Sequence, residues 1–188
     1  MNRKLALSSA VVLLFSQLIS AQSSPQPPNP GPEHKKLSYF IGKWSSAGEA
    51  KPSPFGPAGK FTFTDDSTWF PGGFFVVSRS DGKGPAGEIK TIAVMGYDPN
   101  ENVYTYNAFN SMGMAESAKG TVNGDTWTWT SGGQVGDKTV KSRFIMTVQS
   151  PTTYTYKWES SADGGDWITI MEGASTKIGP SGPEKKAP

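Results

Sequence analysis

The sequence predicts an all-β fold of about ten antiparallel strands with a short N-terminal helix. Three observations carry this reading. Between Val94 and Ser131, short alternating runs are joined by turns rich in Gly and Asn, the pattern of a β-meander. No long helical segment separates the strand signals, which argues against parallel βαβ units. Glycine numbers 22 and aromatic residues make up 12% of the 188 residues, which fits many tight turns between aromatic strands. Such strands form either a sandwich or a closed up-and-down barrel.

The elements follow in order. Residues 1–21 have the anatomy of a secretory signal peptide. Arg3 and Lys4 lead, Leu5 to Ile19 is apolar, and Ser20-Ala21 offers small residues for a cut after Ala21. The apolar run is short for a membrane span. The expected location is therefore exported, periplasmic or extracellular, with no membrane attachment after cleavage. Residues 22–32 hold five prolines and read as an extended linker. Residues 33–41 form a short helix, with Leu37, Phe40 and Ile41 spaced to plug one end of a sheet structure. Gly42 ends it.

Strands are expected near 43–50, 60–70, 74–80, 88–97, 103–110, 114–122, 126–131, 139–149, 153–160 and 167–177. Asn123-Gly124, Asp81-Gly82 and Asp163-Gly164 read as hairpin turns that need positive φ. Asp98-Pro99-Asn100 suits a type I turn. Pro71-Gly72-Gly73 reverses the chain between aromatic strands. Residues 33–178 thus make one domain, and 179–188 a frayed Pro/Gly/Lys tail.

Alternation assigns faces. Trp127 and Trp129 share one side of their strand. Tyr154, Tyr156 and Trp158 share another. Val140, Ser142, Phe144, Met146 and Val148 line one face, with Lys141 and Arg143 opposite. The strands at 60–70 and 88–97 are apolar on both faces in places.

Bulk properties exclude several classes. Residues 1–21 carry two of the 18 basic residues, so the remainder balances the 16 acidic ones. Nucleic acid and acidic membranes are therefore not expected partners. There is no Cys, so an exported domain must rely on its core.

Gly42-Lys43-Trp44, after a short helix and opening the first strand, resembles the Gly-x-Trp signature of the calycin superfamily of lipocalins, fatty-acid-binding proteins and nitrobindins. That resemblance implies that Trp44 closes one barrel end beneath a basic side chain of the last strand. Lys177 stands at the matching place, where those families more often carry Arg. The chain is more closely similar to the bacterial domain-of-unknown-function 1579 family, itself calycin-like. The resemblance rests on Leu37 through Trp44, Gly72 through Val76, Met95 through Asp98, Gly120 leading to Trp127-Thr128-Trp129, and Glu172 to Lys177. It spans about Pro32 to Ile178. It implies an antiparallel up-and-down, lipocalin-like barrel of about ten strands and no established activity.

His34 is the single histidine and lies ahead of the barrel, so it reads as a surface residue at the helix start. With no Cys, Ser-His-Asp or Cys-His chemistry is not expected. Nitrobindin-like haem needs a late His that this chain lacks, and no cofactor is expected. Asp65-Asp66, and Asp163 with Asp166, lack the spacing of a hard-cation loop and read as solvated acids. Met95, Met112, Met114, Met146 and Met171 read as core filling rather than a soft-metal site. No metal site is expected.

The expected function is binding of a small hydrophobic molecule inside the barrel by a monomer. The candidate ligand-contacting residues are Trp69, Phe74, Tyr97, Tyr104, Tyr106, Trp127, Trp129 and Tyr156, with Glu116 and Arg143 as polar contacts. Residues 52–59, which include Phe55, read as a lid-like loop. The alternatives are a filled barrel serving as an interaction module, and an enzyme using interior carboxylates. For the enzyme, Glu116, Glu172 and Asp65 are candidates, with Arg143 or Lys119 as partners.

Overall fold

The computed structural model describes residues 29–54 and 56–182, without the Val135 side chain. The expected signal peptide, most of the linker, Phe55 of the lid-like loop and the last six residues lie outside the described residues.

Ten strands run round one closed barrel: β1 (Gly42–Ala50), β2 (Gly59–Trp69), β3 (Val76–Gly84), β4 (Gly87–Asp98), β5 (Val103–Asn110), β6 (Ala115–Asn123), β7 (Thr126–Val135), β8 (Lys138–Ser150), β9 (Thr153–Ala162) and β10 (Ile168–Gly179). Each pairs antiparallel with the next, and β10 returns to pair with β1. This is the up-and-down barrel among the two architectures that alternation left open. Closure satisfies every strand edge, which suits long Thr- and aromatic-rich strands.

Two turns fall elsewhere than expected. β3 continues through Asp81 and Gly82, which pair with Lys90 and Ile89 of β4. The chain reverses at Pro85-Ala86 instead. Packing explains the shift. The Phe63 ring covers Gly82 from the neighbouring strand, where a Cβ would lie 2.1 Å from it. That glycine serves a close approach, not a turn. Asn123 likewise stays in β6, paired with Thr126. The two-residue turn is Gly124-Asp125, with φ of 55° at Gly124 alone. Positive φ at the first position only is the type II′ pattern.

The N-terminal helix, α1 (Pro32–Lys36), passes into a 3₁₀ turn (Leu37–Phe40) that plugs one barrel end. Leu37 and Phe40 are buried, and the Phe40 ring meets Trp127 edge-on at 5.0 Å. Trp44 fixes the plug from the barrel interior: its indole N–H donates to the Phe40 carbonyl at 2.9 Å. The Lys177 ammonium lies 4.8 Å from the Trp44 ring and donates to the Tyr39 carbonyl at 3.2 Å. Gly42 permits this corner. Its φ is 121°, and a Cβ there would meet the Gly179 carbonyl at 2.9 Å.

The chain beyond residue 178 differs from the expected frayed tail at its start. The Ser181 hydroxyl donates to the Ser67 carbonyl, and the Gly182 N–H donates to Asp66 at 3.3 Å.

Trp44 is 2% exposed and joins the plug, β1 and β10. Trp44→Ala is expected to cost about 3–5 kcal/mol in denaturant unfolding, the usual loss for a large buried ring. Trp44→Phe keeps most of the ring and orphans the Phe40 carbonyl, for about 1–3 kcal/mol. Equal losses would show that the hydrogen bond, not the ring, holds the plug.

Candidate functional site

With one end plugged, the barrel is a cup. Its open end is framed by the loop after β1 and by the turns joining β3 to β4, β5 to β6, β7 to β8 and β9 to β10. Inside lies a cavity of about 360 Å³. It exists because many inward positions are small. Six serines and two alanines face it, where larger side chains would fill a barrel of this size. The interior is therefore not solid core.

The lining has two characters. Trp44, Trp129, Trp158, Phe63, Phe144 and Tyr156 give apolar walls. Every strand from β1 to β9 also brings a hydroxyl or a carboxyl inward. Some hydroxyls bond across the sheet: Ser67 to Ser78 at 2.9 Å, and Ser46 to buried Ser175 at 2.9 Å. The interior is amphipathic rather than purely hydrophobic.

Two acids face the cavity. Asp65, from the middle of β2, accepts a hydrogen bond from the Ser80 hydroxyl of β3. Burial pushes its carboxyl above the ordinary range, and the Ser80 hydroxyl partly opposes this. Glu116 stands on β6 at an exposed position. Desolvation on the cavity side raises its carboxyl, against a 3.4 Å hydrogen bond from Ser131. Burial also raises the phenols of Tyr106, Tyr154 and Tyr156, Tyr154 to about 12. All three carry the added influence of the Asp65 charge. No Lys, Arg or His is among the described residues lining the cavity.

The sequence candidates divide by position. Tyr106, Glu116, Trp129 and Tyr156 line the cavity. Tyr104 and Trp127 lie below it, buried in the packed end with their rings 4.8 Å apart. The Tyr104 hydroxyl donates to Glu33 of the plug at 2.5 Å. Phe74 and Tyr97 flank His34, at 5.1 and 5.6 Å between ring centres, so they belong to the plug seat. His34 is itself half-buried there rather than on the open surface, and its Nδ1 accepts the Gly31 N–H at 3.2 Å. Trp69 packs against the core at the same end.

Arg143 is on the outer surface. It pairs with Glu159 at 2.6 Å and stacks over Trp167 at 4.2 Å. Its neighbours Ser142 and Phe144 point inward, so strand parity turns it out. Glu172 and Lys119 are outside too, paired with Lys51 and Glu101.

Asp65 and the serines were not among the ligand-contacting candidates. A signal for them exists: Phe61, Phe63, Asp65, Ser67 and Trp69 share one face of β2, so an inward Phe63 carries Asp65 inward with it. No group of three or more His, Cys, Asp or Glu converges among the described residues.

The Asp65 shift has a consequence for stability. In the unfolded chain this carboxyl titrates near about 3.9. Its folded value is higher, so the folded state holds the proton more tightly. Stability therefore falls as pH rises from the unfolded value through the folded one. Asp65→Asn removes this titration. The variant is expected to melt above the wild type at pH 7, with the gap closing towards pH 4. A gap that does not change with pH would assign the effect to something other than the charge.

Comparison with known proteins matches the family described as "Protein of unknown function (DUF1579)" to residues 29–177. Among solved structures, the chain is similar to Rv2717c from M. tuberculosis, with a TM-score of 0.56 at 14% identity. The match covers 79% of this chain and 99% of that one. It is also similar to the S-type phycobiliprotein lyase CpeS from Guillardia theta, with a TM-score of 0.48 at 11% identity. That match covers 80% of this chain and 94% of the other. At such identities the likeness is one of fold. No curated protein matches the chain. The family match spans most of the molecule, plug and barrel together, and the chain belongs to the DUF1579 family of proteins of unknown function.

Proposed function

We propose that this is an exported barrel that takes up a small amphipathic molecule in its cup. The observation that carries the reading is the unfilled cavity of about 360 Å³, plugged at one end and lined by both aromatic rings and hydroxyls. Apolar walls with a few placed polar groups are the usual build of a small-molecule site. Export is supported by the signal-peptide anatomy of residues 1–21. A monomer suits the reading, because closure leaves no sheet edge for a second copy to extend. The polar lining shifts the expected ligand from purely hydrophobic to amphipathic. A catalytic reading has one observation in its favour, the half-buried Asp65 with its raised carboxyl. It ranks second, because the described lining offers hydroxyls but no cation or imidazole to share a proton-transfer step.

The test uses the neutral fluorescent dye N-phenyl-1-naphthylamine. Saturable binding at one site per chain is expected. Ala93, 5% exposed, faces the cavity between β3 and β5. Ala93→Trp fills that space and is expected to weaken the dye at least about tenfold, comparable to losing one well-placed set of contacts. Circular dichroism and the melting midpoint establish that the variant is folded. Saturable binding that survives in folded Ala93→Trp would place the dye outside the cup.

A further inference from the structure

Carboxyls without a cation partner are found on both sides of the wall, but the outer ones, Glu88, Asp125, Asp137, Asp163 and Asp166, are exposed to water, and Asp98 accepts backbone N–H groups. Also on the outside, Glu33, Asp66, Glu49, Glu172, Asp81, Glu101 and Glu159 each have a Lys or Arg within 4 Å. Inside, Asp65 and Glu116 have hydroxyl partners only, Ser80 and Ser131. Neither forms an ion pair with any described residue. For the half-buried Asp65 a cation partner would be expected, because an unmatched charge withdrawn from water is costly. Here the protein supplies no partner, although it supplies one to Glu159 and the other paired acids outside.

The surroundings of Asp65 fit a particular kind of cation. Tyr106, Tyr154 and Tyr156 line the same cavity. Trp129 stands on β7, five strands from β2 in either direction round the ten-strand ring, and so faces Asp65 from the opposite wall. Its ring is 5.9 Å from that of Tyr106. Aromatic faces attract cations and also shelter an apolar body. A bare divalent cation would want several oxygen ligands on one centre, and no such convergence exists among the described residues.

We infer that the molecule held in the cup is an organic ammonium, with its apolar body against the aromatic walls and its charge received by Asp65. This deepens the reading of the cavity as a ligand site and rests on it. Asp65 is the anchor, and the Ser80 hydroxyl orients its carboxyl. Glu116, at the open end, draws cations towards the mouth without being the seat.

A matched series tests the charge while holding the apolar body constant: naphthylethylammonium, naphthylethanol and naphthylacetate, each titrated calorimetrically at pH 7.5. The ammonium is expected to bind at least about tenfold tighter than the alcohol, and the acetate weakest of the three. In Asp65→Asn the ammonium and the alcohol are expected to bind alike. Glu116→Gln is expected to lower the ammonium affinity less than about threefold. An alcohol or an acetate that matches the ammonium in the wild type overturns the inference. So does a preference that survives in Asp65→Asn. The wild-type series decides the charge preference even if Asp65→Asn fails to fold. The neutral dye separates the two levels of the argument. Dye and alcohol binding without an ammonium advantage refutes the ammonium and leaves the cup as a ligand site. Failure of the dye and of all three probes refutes both.

Discussion

Trp44 sits where the plug, the first strand and the last strand must meet. Its ring lies beneath the Lys177 ammonium and 5.1 Å from Tyr154, and its N–H holds the Phe40 carbonyl. Each contact is of ordinary strength. Together they tie the 3₁₀ turn to the seam where β10 closes on β1. Without that tie the barrel would still have its ladders, but its lower end would be an opening. The cup depends on the floor, and the floor depends on this indole. Trp44 belongs to the site as well, since it also lines the cavity.

A hollow barrel without disulfides must find its stability away from the hollow. Phe61 and Ile170 are buried near the open end, but much of the packed core lies at the plugged end, where Leu37, Phe40, Val76, Tyr104, Trp127 and Met146 are buried. Above them the wall turns to serine, and contacts that a filled core would make are forgone. The serines limit the cost of burial by bonding to one another, as Ser67 does to Ser78. Asp65 has no such full compensation, because one hydroxyl does not replace the hydration of a carboxylate. A side chain that lowers stability and lines a cavity is readily explained by function.

The fold was legible because its signals are local and repeated. Alternation, Gly-bearing turns and the absence of long helices describe an antiparallel sheet one strand at a time, and Gly42-Lys43-Trp44 adds the corner that closes it. What misled was the meaning of individual glycines. Gly82 looks like a turn beside Asp81, yet it is a strand residue under the Phe63 ring. That contact comes from the neighbouring strand and leaves no local trace. The site was half legible for a related reason. Alternation singles out eight aromatic candidates and passes over Phe63, Phe144, Tyr154 and Trp158, which line the cavity, because height along the barrel axis, not residue type, divides them. Tyr106 and Tyr104 sit two residues apart on the same face of β5. One lines the cavity and the other supports the plug. Parity along a strand is written in the sequence, while the level of the floor is set by where the plug comes to rest.

The inward serines replace apolar packing with hydroxyls. A barrel selected only for stability would place branched apolar side chains at these positions, as Val76 does lower on β3. Ser78 and Ser80 follow it on the same strand and face, so the change from apolar to polar occurs within a few residues and at a definite height. On β2 the same change runs from Trp69 to Ser67 to Asp65. Two neighbouring strands switch character together, and the switch ends at the hydrogen bond between Asp65 and Ser80. Coordinated change on adjacent strands points to a requirement of the space between them and not of either strand alone. The space has room, hydrogen-bonding groups and the half-buried carboxyl of Asp65. Under the proposed ligand reading these are the requirements of a guest, since a barrel built for stability alone gains nothing from them.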